Sequence, residues 1–201
     1  MSSSSNFNKS TSRAVAVFCN SASCTATVIV EDNIATDAQC QDVTVQLDNT
    51  GNGSTTPAAV NNGSSDACGI ASLALSQTAF VCSEVGANTE TLTVTDVNGN
   101  VSTCTTTVTV EDNVNPEALC QDITVELDEN GVAVLTAADI DNGSNDACGI
   151  ASLSASQTAF DCTNIGANTI TLTVTDNNAL QSTCTATVTV QENTPPVATC
   201  Q

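Results

Sequence analysis

Three features of the sequence predict an all-β protein built from a row of small sandwiches. The first is a gapless internal repeat. Cys24, Cys104 and Cys184 are evenly spaced, and the same spacing separates Cys40, Cys120 and Cys200, then Cys68 and Cys148, then Cys82 and Cys162. NGSSDACGIASLALSQTAF (Asn62 to Phe80) returns as NGSNDACGIASLSASQTAF (Asn142 to Phe160). The second is alternation with period two, which puts apolar side chains on one face of a strand and polar ones on the other. The third is the lack of any window with helical periodicity. About seven short strands per repeat, separated by turn signals, predict tandem immunoglobulin-like β-sandwiches of about 80 residues each.

The elements follow in order within the second whole repeat. Ile123, Val125 and Leu127 alternate with Asp122, Thr124 and Glu126, which predicts a strand over 121–127. DENG (Asp128 to Gly131) is a turn, followed by strands over 131–137 and 149–156 and a middle region over 157–163. Ile170, Leu172 and Val174 alternate with threonines, as do Cys184, Ala186, Val188 and Val190, which predicts strands over 168–175 and 182–191. The chain divides into a low-complexity segment 1–12, the tail of a preceding repeat with its linker at 13–37, whole repeats at 38–117 and 118–197, and the start of another at 198–201. The partial repeats suggest a segment of a longer chain, or a subunit whose broken repeats neighbouring subunits complete by strand addition.

Composition narrows the function. The net charge is −20, and Lys9 and Arg13 are the only basic residues. Phosphate backbones and anionic membrane surfaces would be repelled, whereas bound cations and solubility through self-repulsion are favoured. The chain has no His, Trp or Tyr. That removes the commonest general base and weighs against stacking on glycans. No nucleophile, base and orienting group form a recognisable set, so no enzyme activity is expected. No segment reads as a membrane span or a signal peptide: Met1 to Ser12 is rich in Ser and Asn, and Ala14 to Phe18 is too short for an apolar signal core.

Eleven cysteines at regular spacing imply disulfides and an oxidising, extracellular compartment. Four cysteines per repeat allow three pairings. Cys19 stands near Cys24 in a partial repeat that lacks a counterpart of Cys82 and Cys162. Reading Cys19 as a substitute partner gives Cys19–Cys24, Cys82–Cys104 and Cys162–Cys184, and leaves Cys40–Cys68 and Cys120–Cys148. Cys200 then pairs beyond Gln201 or with a neighbouring subunit, or stays a free thiol.

Carboxylates gather at one end of each sandwich, where the loop before the third strand, the last hairpin and the incoming linker meet. For the second repeat these are Glu111, Asp112, Asn113 and Asn115 from the linker, Asp139, Asp141 and Asp146 from one loop, and Asp176 from the hairpin. With no basic residue nearby they would repel one another unless a cation joins them, and calcium takes 6 to 8 oxygen ligands in flexible geometry. The first repeat offers Glu31, Asp32, Asn33, Asp66 and Asp96, but Ala59 and Asn61 replace Asp139 and Asp141, so the junction at 111–117 is expected to bind calcium more tightly. The competing reading is that these side chains only cap turns.

The linker EDNVNP, Asp139, Asp141 and Asp176 resemble the calcium-binding junction of cadherin-type domains. The chain from about 24 to 201 is more similar to HYR-type (hyalin-repeat) immunoglobulin-like modules. In those, a Cys follows the linker, an Asp precedes a central Cys, a Phe-x-x-Gly element follows, then T-V-T-D-x-x-G-N and a last Cys before T-V-T-V. Here these are Cys40, Asp66 and Cys68, Phe80, Thr93 to Asp96 with Gly99 and Asn100, and Cys104. Gln41 and Gln121 depart from the usual Pro, Gly86 and Gly166 come late, and Asn177-Asn178-Ala179 replaces the Gly-Asn turn. The resemblance implies a tandem array in a secreted or surface-anchored bacterial protein, like the very long adhesins of Bacteroidota. The expected function is a structural rod, filament or adhesin stalk at the cell surface, locked by disulfides and stiffened by calcium. Its expected partners are neighbouring repeats or identical subunits. The alternative is a module that binds a surface glycan or protein.

Overall fold

The computed structural model describes residues 27–193. From Asp32 onward the chain is one compact unit holding two sandwiches. The first has strands β1 (Val43–Gln46), β2 (Asn52–Ser54), β3 (Ile70–Leu75), β4 (Ala79–Val81), β5 (Gly86–Asp96) and β6 (Val101–Glu111). The second repeats them as β7 (Ile123–Glu126), β8 (Val132–Val134), β9 (Ile150–Ala155), β10 (Ala159–Asp161), β11 (Gly166–Asp176) and β12 (Gln181–Gln191). Each consists of a four-stranded sheet, in the order β1-β6-β5-β3 or β7-β12-β11-β9, facing a two-stranded one, β2-β4 or β8-β10. This is the expected all-β, immunoglobulin-like arrangement, and each strand lies within or close to its expected span. The only α-helix among the described residues is the single turn Pro57–Val60. No helix among them is long and apolar enough to cross a membrane.

One pairing sets the geometry of everything else. β1 runs parallel to β6, with Val43 opposite Val108 and Gln46 opposite Glu111, while β5 and β6 form a long antiparallel hairpin. The chain therefore enters beside the β5–β6 turn, travels alongside β6 and leaves at the far end. We call the end with the β5–β6 turn the upstream end and the end where β6 finishes the downstream end. The second sandwich has the same register, Ile123 opposite Val188 and Glu126 opposite Gln191.

This register overturns the expected disulfides. Three bonds are present among the described residues: Cys40–Cys104, Cys120–Cys184 and Cys82–Cys148. The parallel strand carries Cys40 alongside Cys104 and Cys120 alongside Cys184, with Cα separations of 5.9 and 5.8 Å. Cys82 sits at the downstream end, where a short 3-10 turn (Cys82–Glu84) precedes β5. That location is remote from Cys104, which lies opposite Leu92 in mid-hairpin. Cys82 instead bridges to Cys148 at the upstream end of the second sandwich, with Cα atoms 5.1 Å apart. The expected pairs Cys40–Cys68, Cys82–Cys104, Cys120–Cys148 and Cys162–Cys184 are thus replaced. Cys68 and Cys162 carry free, exposed thiols. Cys19, Cys24 and Cys200 lie outside the described residues.

The core of the second sandwich is continuous: Leu127, Leu135, Ile140, Phe160, Ile170, Leu172, Val174, Ala186, Val188 and Val190 pack as one cluster. In the first sandwich it splits in two. At the break, Glu90 and Thr106 stand where Ile170 and Ala186 stand, and both are buried. The Ser76 hydroxyl donates to Glu90, and Thr106 Oγ1 donates to the Gln41 carbonyl at 2.6 Å. A buried carboxylate contributes little apolar transfer energy, whereas a buried isoleucine is worth about 1.5–3 kcal/mol. Glu90→Ile is therefore expected to stabilise the first sandwich by about 1–2 kcal/mol. Its melting midpoint should rise by about 5–10 °C in calorimetry. Ser76 would keep its bond from the Thr91 N–H, as Ser156 does from Thr171 beside Ile170.

Candidate cation site at the repeat junction

The linker from Glu111 to Cys120 leaves the downstream end of the first sandwich and docks on the upstream end of the second through Glu117 and Cys120 rather than hanging free. Asp112 and Pro116 are buried in it. Glu117 forms a bridge with Asn145, and Cys120 one with Asp141. The same contacts recur one repeat earlier as Asp37 with Ser65 and Cys40 with Asn61. This docking carries Asp112 to the loop containing Asp146 and Cys148. A carboxylate oxygen of each aspartate and the Cys148 sulfur, which is bonded to Cys82 and so offers no ligand, lie within 4.8 Å of one another, and Asp32, Asp66 and Cys68 form the equivalent group in the first sandwich.

Each aspartate at the second junction uses one oxygen to fix its own loop. Asp112 Oδ1 accepts from the Val114 N–H at 3.1 Å, and Asp146 Oδ1 from the Cys148 N–H at 2.7 Å. Asp176 Oδ1 accepts from the N–H groups of Asn178 and Leu180 at 2.8 and 2.9 Å. What remains differs between the repeats. Asp112 Oδ2 and Asp176 Oδ2 are buried with no hydrogen-bond partner, and the two residues are only 6% and 1% exposed. In the first repeat, Asn100 Nδ2 donates to Asp96 Oδ2 at 2.8 Å and to the Asp32 carbonyl at 3.1 Å. Leu180 stands in the place of Asn100 in the second repeat and has no amide to offer.

Charge reinforces the contrast. Burial pushes the Asp96 carboxyl up, but bonds from the Asn100 side chain and from the N–H groups of Asn100, Asn98 and Gly99 outweigh it and hold the pKa below the usual range. A hydrogen bond to Asp32, then the negative charge of Asp32, then burial and the charges of Asp66 and Asp96, push the Cys68 thiol up. Asp96 thus belongs to the same electrostatic cluster as Asp32 and Asp66. No basic residue lies among the described residues to compensate either cluster. An unpaired buried carboxylate oxygen costs about 1–3 kcal/mol or more. The donor set, aspartate oxygens with an orphaned buried atom on two of them, fits a hard, oxygen-seeking cation such as calcium.

The other residues singled out in the sequence lie elsewhere or are committed to local bonds. Asp139 Oδ2 accepts from the Thr136 N–H and hydroxyl at 2.6 and 2.8 Å, capping the turn Ala137–Asp139. The Asp141 oxygens accept from Gly143 and Ser144 at 3.3 and 3.1 Å. Glu111 and Asn113 form a small exposed network with Gln46 at the downstream end of the first sandwich. Asn115, Glu31 and Asn33 are exposed. The feature that sequence reasoning missed is the pair Asn100 and Leu180. The signal was there, because these are unlike residues at equivalent positions beside an aspartate present in both repeats.

No family model matches this sequence, and no curated protein matches it. Among solved structures, the chain is similar to human mucin-like protocadherin EC1-2 (15% identity, TM-score 0.40, 79% of this chain and 98% of that one). It is also similar to human protocadherin-24 EC1-2 (10% identity, TM-score 0.40, covering 80% and 100%). A third is a set of fibronectin(III)-like modules of Clostridium thermocellum CbhA (13% identity, TM-score 0.29, covering 79% and 94%). The fold assignment rests on the strand order and register described above.

Proposed function

We propose that this protein is a non-enzymatic structural module of the cell exterior, a stalk or filament segment whose beads are fixed to one another at their joints. The disulfides support an oxidising location. The bond Cys82–Cys148, which ties consecutive sandwiches, supports a mechanical role. Tandem repeats that touch mainly their neighbours make quasi-one-dimensional structures, and the sequence resemblance to hyalin-repeat arrays points the same way.

The observation that carries the calcium reading is the pair of orphaned buried oxygens, Asp112 Oδ2 and Asp176 Oδ2, in an acidic junction without a counter-charge. Asp112, Asp146 and Asp176 would hold the ion, which would supply charge neutralisation and rigidity there. The first repeat, where Asn100 satisfies Asp96, would bind more weakly. Binding at about 100 times Kd would stabilise the folded form by about 2.7 kcal/mol. Thermal unfolding of the oxidised chain is therefore expected to show a higher midpoint in excess calcium than in excess chelator at equal ionic strength, with magnesium much less effective. Coincident curves in all three would rule calcium out and leave the disulfide and packing as the sources of stiffness.

A further inference from the structure

The joint inside this chain has two halves, and each half recurs at the opposite end of the molecule. The downstream half is Gly51 with Cys82; the upstream half is Ala147 with Cys148. Gly51 has φ +75°, and a Cβ placed on it would lie 2.6 Å from Cys82 Sγ and 3.4 Å from the Ala147 Cβ. Glycine is thus needed both for the turn Asp48–Gly51 and for room beneath the incoming loop. The second sandwich repeats this platform. Gly131 has φ +71°, and its Cβ would lie 2.9 Å from Cys162 Sγ. The sulfur of Cys162 sits 3.9 Å from the Gly131 carbonyl oxygen, against 3.8 Å for Cys82 and Gly51. The first sandwich repeats the incoming loop. Asp66, Ala67 and Cys68 match Asp146, Ala147 and Cys148, and Asp66 Oδ1 accepts from the Cys68 N–H at 2.7 Å, the same distance as in Asp146 and Cys148. Cys68 and Cys162 are both exposed free thiols.

We infer that Cys162 of one copy of this chain bonds to Cys68 of a second copy, forming a head-to-tail covalent polymer whose joints reproduce the Cys82–Cys148 geometry. Each thiol sits in a repeat of one half of an interface that already exists within the molecule. The second copy presents the group that fits it, an Ala-Cys loop ordered by an aspartate, to a platform cleared by a glycine. A heterologous contact of this kind does not close on itself and propagates as a fibre.

The chemistry requires an oxidant, which is an external disulfide such as oxidised glutathione. One cysteine thiolate attacks it, forming a mixed disulfide and releasing one glutathione thiolate. The thiolate of the other copy's cysteine then attacks the protein sulfur of that mixed disulfide and releases the second. Two protein thiols lose two electrons and two protons, and one glutathione disulfide becomes two glutathione thiols.

The inference extends the stalk reading but is tested separately from it. In the full chain with Cys19, Cys24 and Cys200 changed to Ser, incubation with a glutathione redox buffer is expected to give a ladder of covalent oligomers on non-reducing gels. Reductant should collapse the ladder. Mass spectrometry after cleavage at acidic residues should find the peptide pair joined through Cys162 and Cys68. Cys68→Ser or Cys162→Ser alone should abolish the ladder, and an equimolar mixture of the two variants should yield dimers and nothing longer. Persistence of both free thiols under conditions that leave Cys82–Cys148 oxidised would overturn the proposal. So would links found only as Cys68–Cys68 or Cys162–Cys162. Neither outcome touches the calcium test, which reads the monomeric chain.

Discussion

Changing Cys120 and Cys184 together to alanine is expected to destabilise the second sandwich by about 4 kcal/mol, because the bond closes a long loop within one folding unit. The two residues are 64 apart in sequence. For a domain of this size, about 4 kcal/mol lowers the melting midpoint by roughly 15–30 °C, enough to separate its transition from that of the first sandwich. Domains as small as these sandwiches have little stability to spare. The pair Cys82–Cys148 should behave differently although its separation, 66 residues, is nearly the same. It joins two sandwiches that each hold a disulfide of their own. Replacing both of its cysteines by alanine should leave each domain's intrinsic stability almost unchanged and uncouple the two transitions in calorimetry. A drop confined to coupling in the first variant, or a collapse of one domain in the second, would show that the cysteines pair otherwise in solution.

The fold was legible because its signal is local. Alternation along Ile170 to Val174 and Cys184 to Val190 fixes strand type and face, and the turns at Asp128 to Gly131 and Asp176 to Gln181 fix the breaks. The disulfides were not legible because their signal is topological. Even spacing says that Cys40 and Cys120 are equivalent, but not which strand each lies beside. That depends on β1 and β7 pairing in parallel with β6 and β12, which lie far along the chain from them. A strict repeat also conceals a bond between repeats. Cys82–Cys148 and a bond within one repeat leave the same periodic pattern of cysteines in the sequence.

The acidic junction was legible as a region, but the bonding that distinguishes its members was not. Composition and the linker pattern located it, and Asp112, Asp146 and Asp176 were in the expected set. Asp139 and Asp141 looked equivalent to them because an aspartate has the same letter whether it caps a turn or faces a cluster. The difference lies in which oxygen has a partner. Asp139 is used by Thr136, while Asp112 and Asp176 each keep one oxygen buried and unmet. The sequence points to Ala59 and Asn61 as the reason for a weaker first junction. The structure shows a different contrast between the junctions: the Asn100 amide bonds Asp96 Oδ2, while the matching Asp176 Oδ2 beside Leu180 has no partner.

The substitution Asp112→Asn should change stability in opposite directions with and without calcium. The asparagine oxygen can still accept from the Val114 N–H, as Asp112 Oδ1 does now at 3.1 Å. Its amide would stand where Oδ2 is orphaned, and one negative charge would be removed from beside Asp146. In excess chelator the variant is therefore expected to gain about 1–3 kcal/mol, the cost of an unmet buried acceptor. In excess calcium it loses a charged ligand. A tenfold or greater loss of affinity, about 1.4 kcal/mol per tenfold, would shrink or abolish the calcium-dependent rise in midpoint. The two melting curves of the variant should lie close together, above the parent in chelator and at or below it in calcium. Asp139→Asn is the matching control: its carboxylate caps a turn outside the cluster, so its calcium response should equal the parent's. If Asp112→Asn shifted both media in the same direction by the same amount, Asp112 would be a structural turn residue and the ion would have to be held elsewhere.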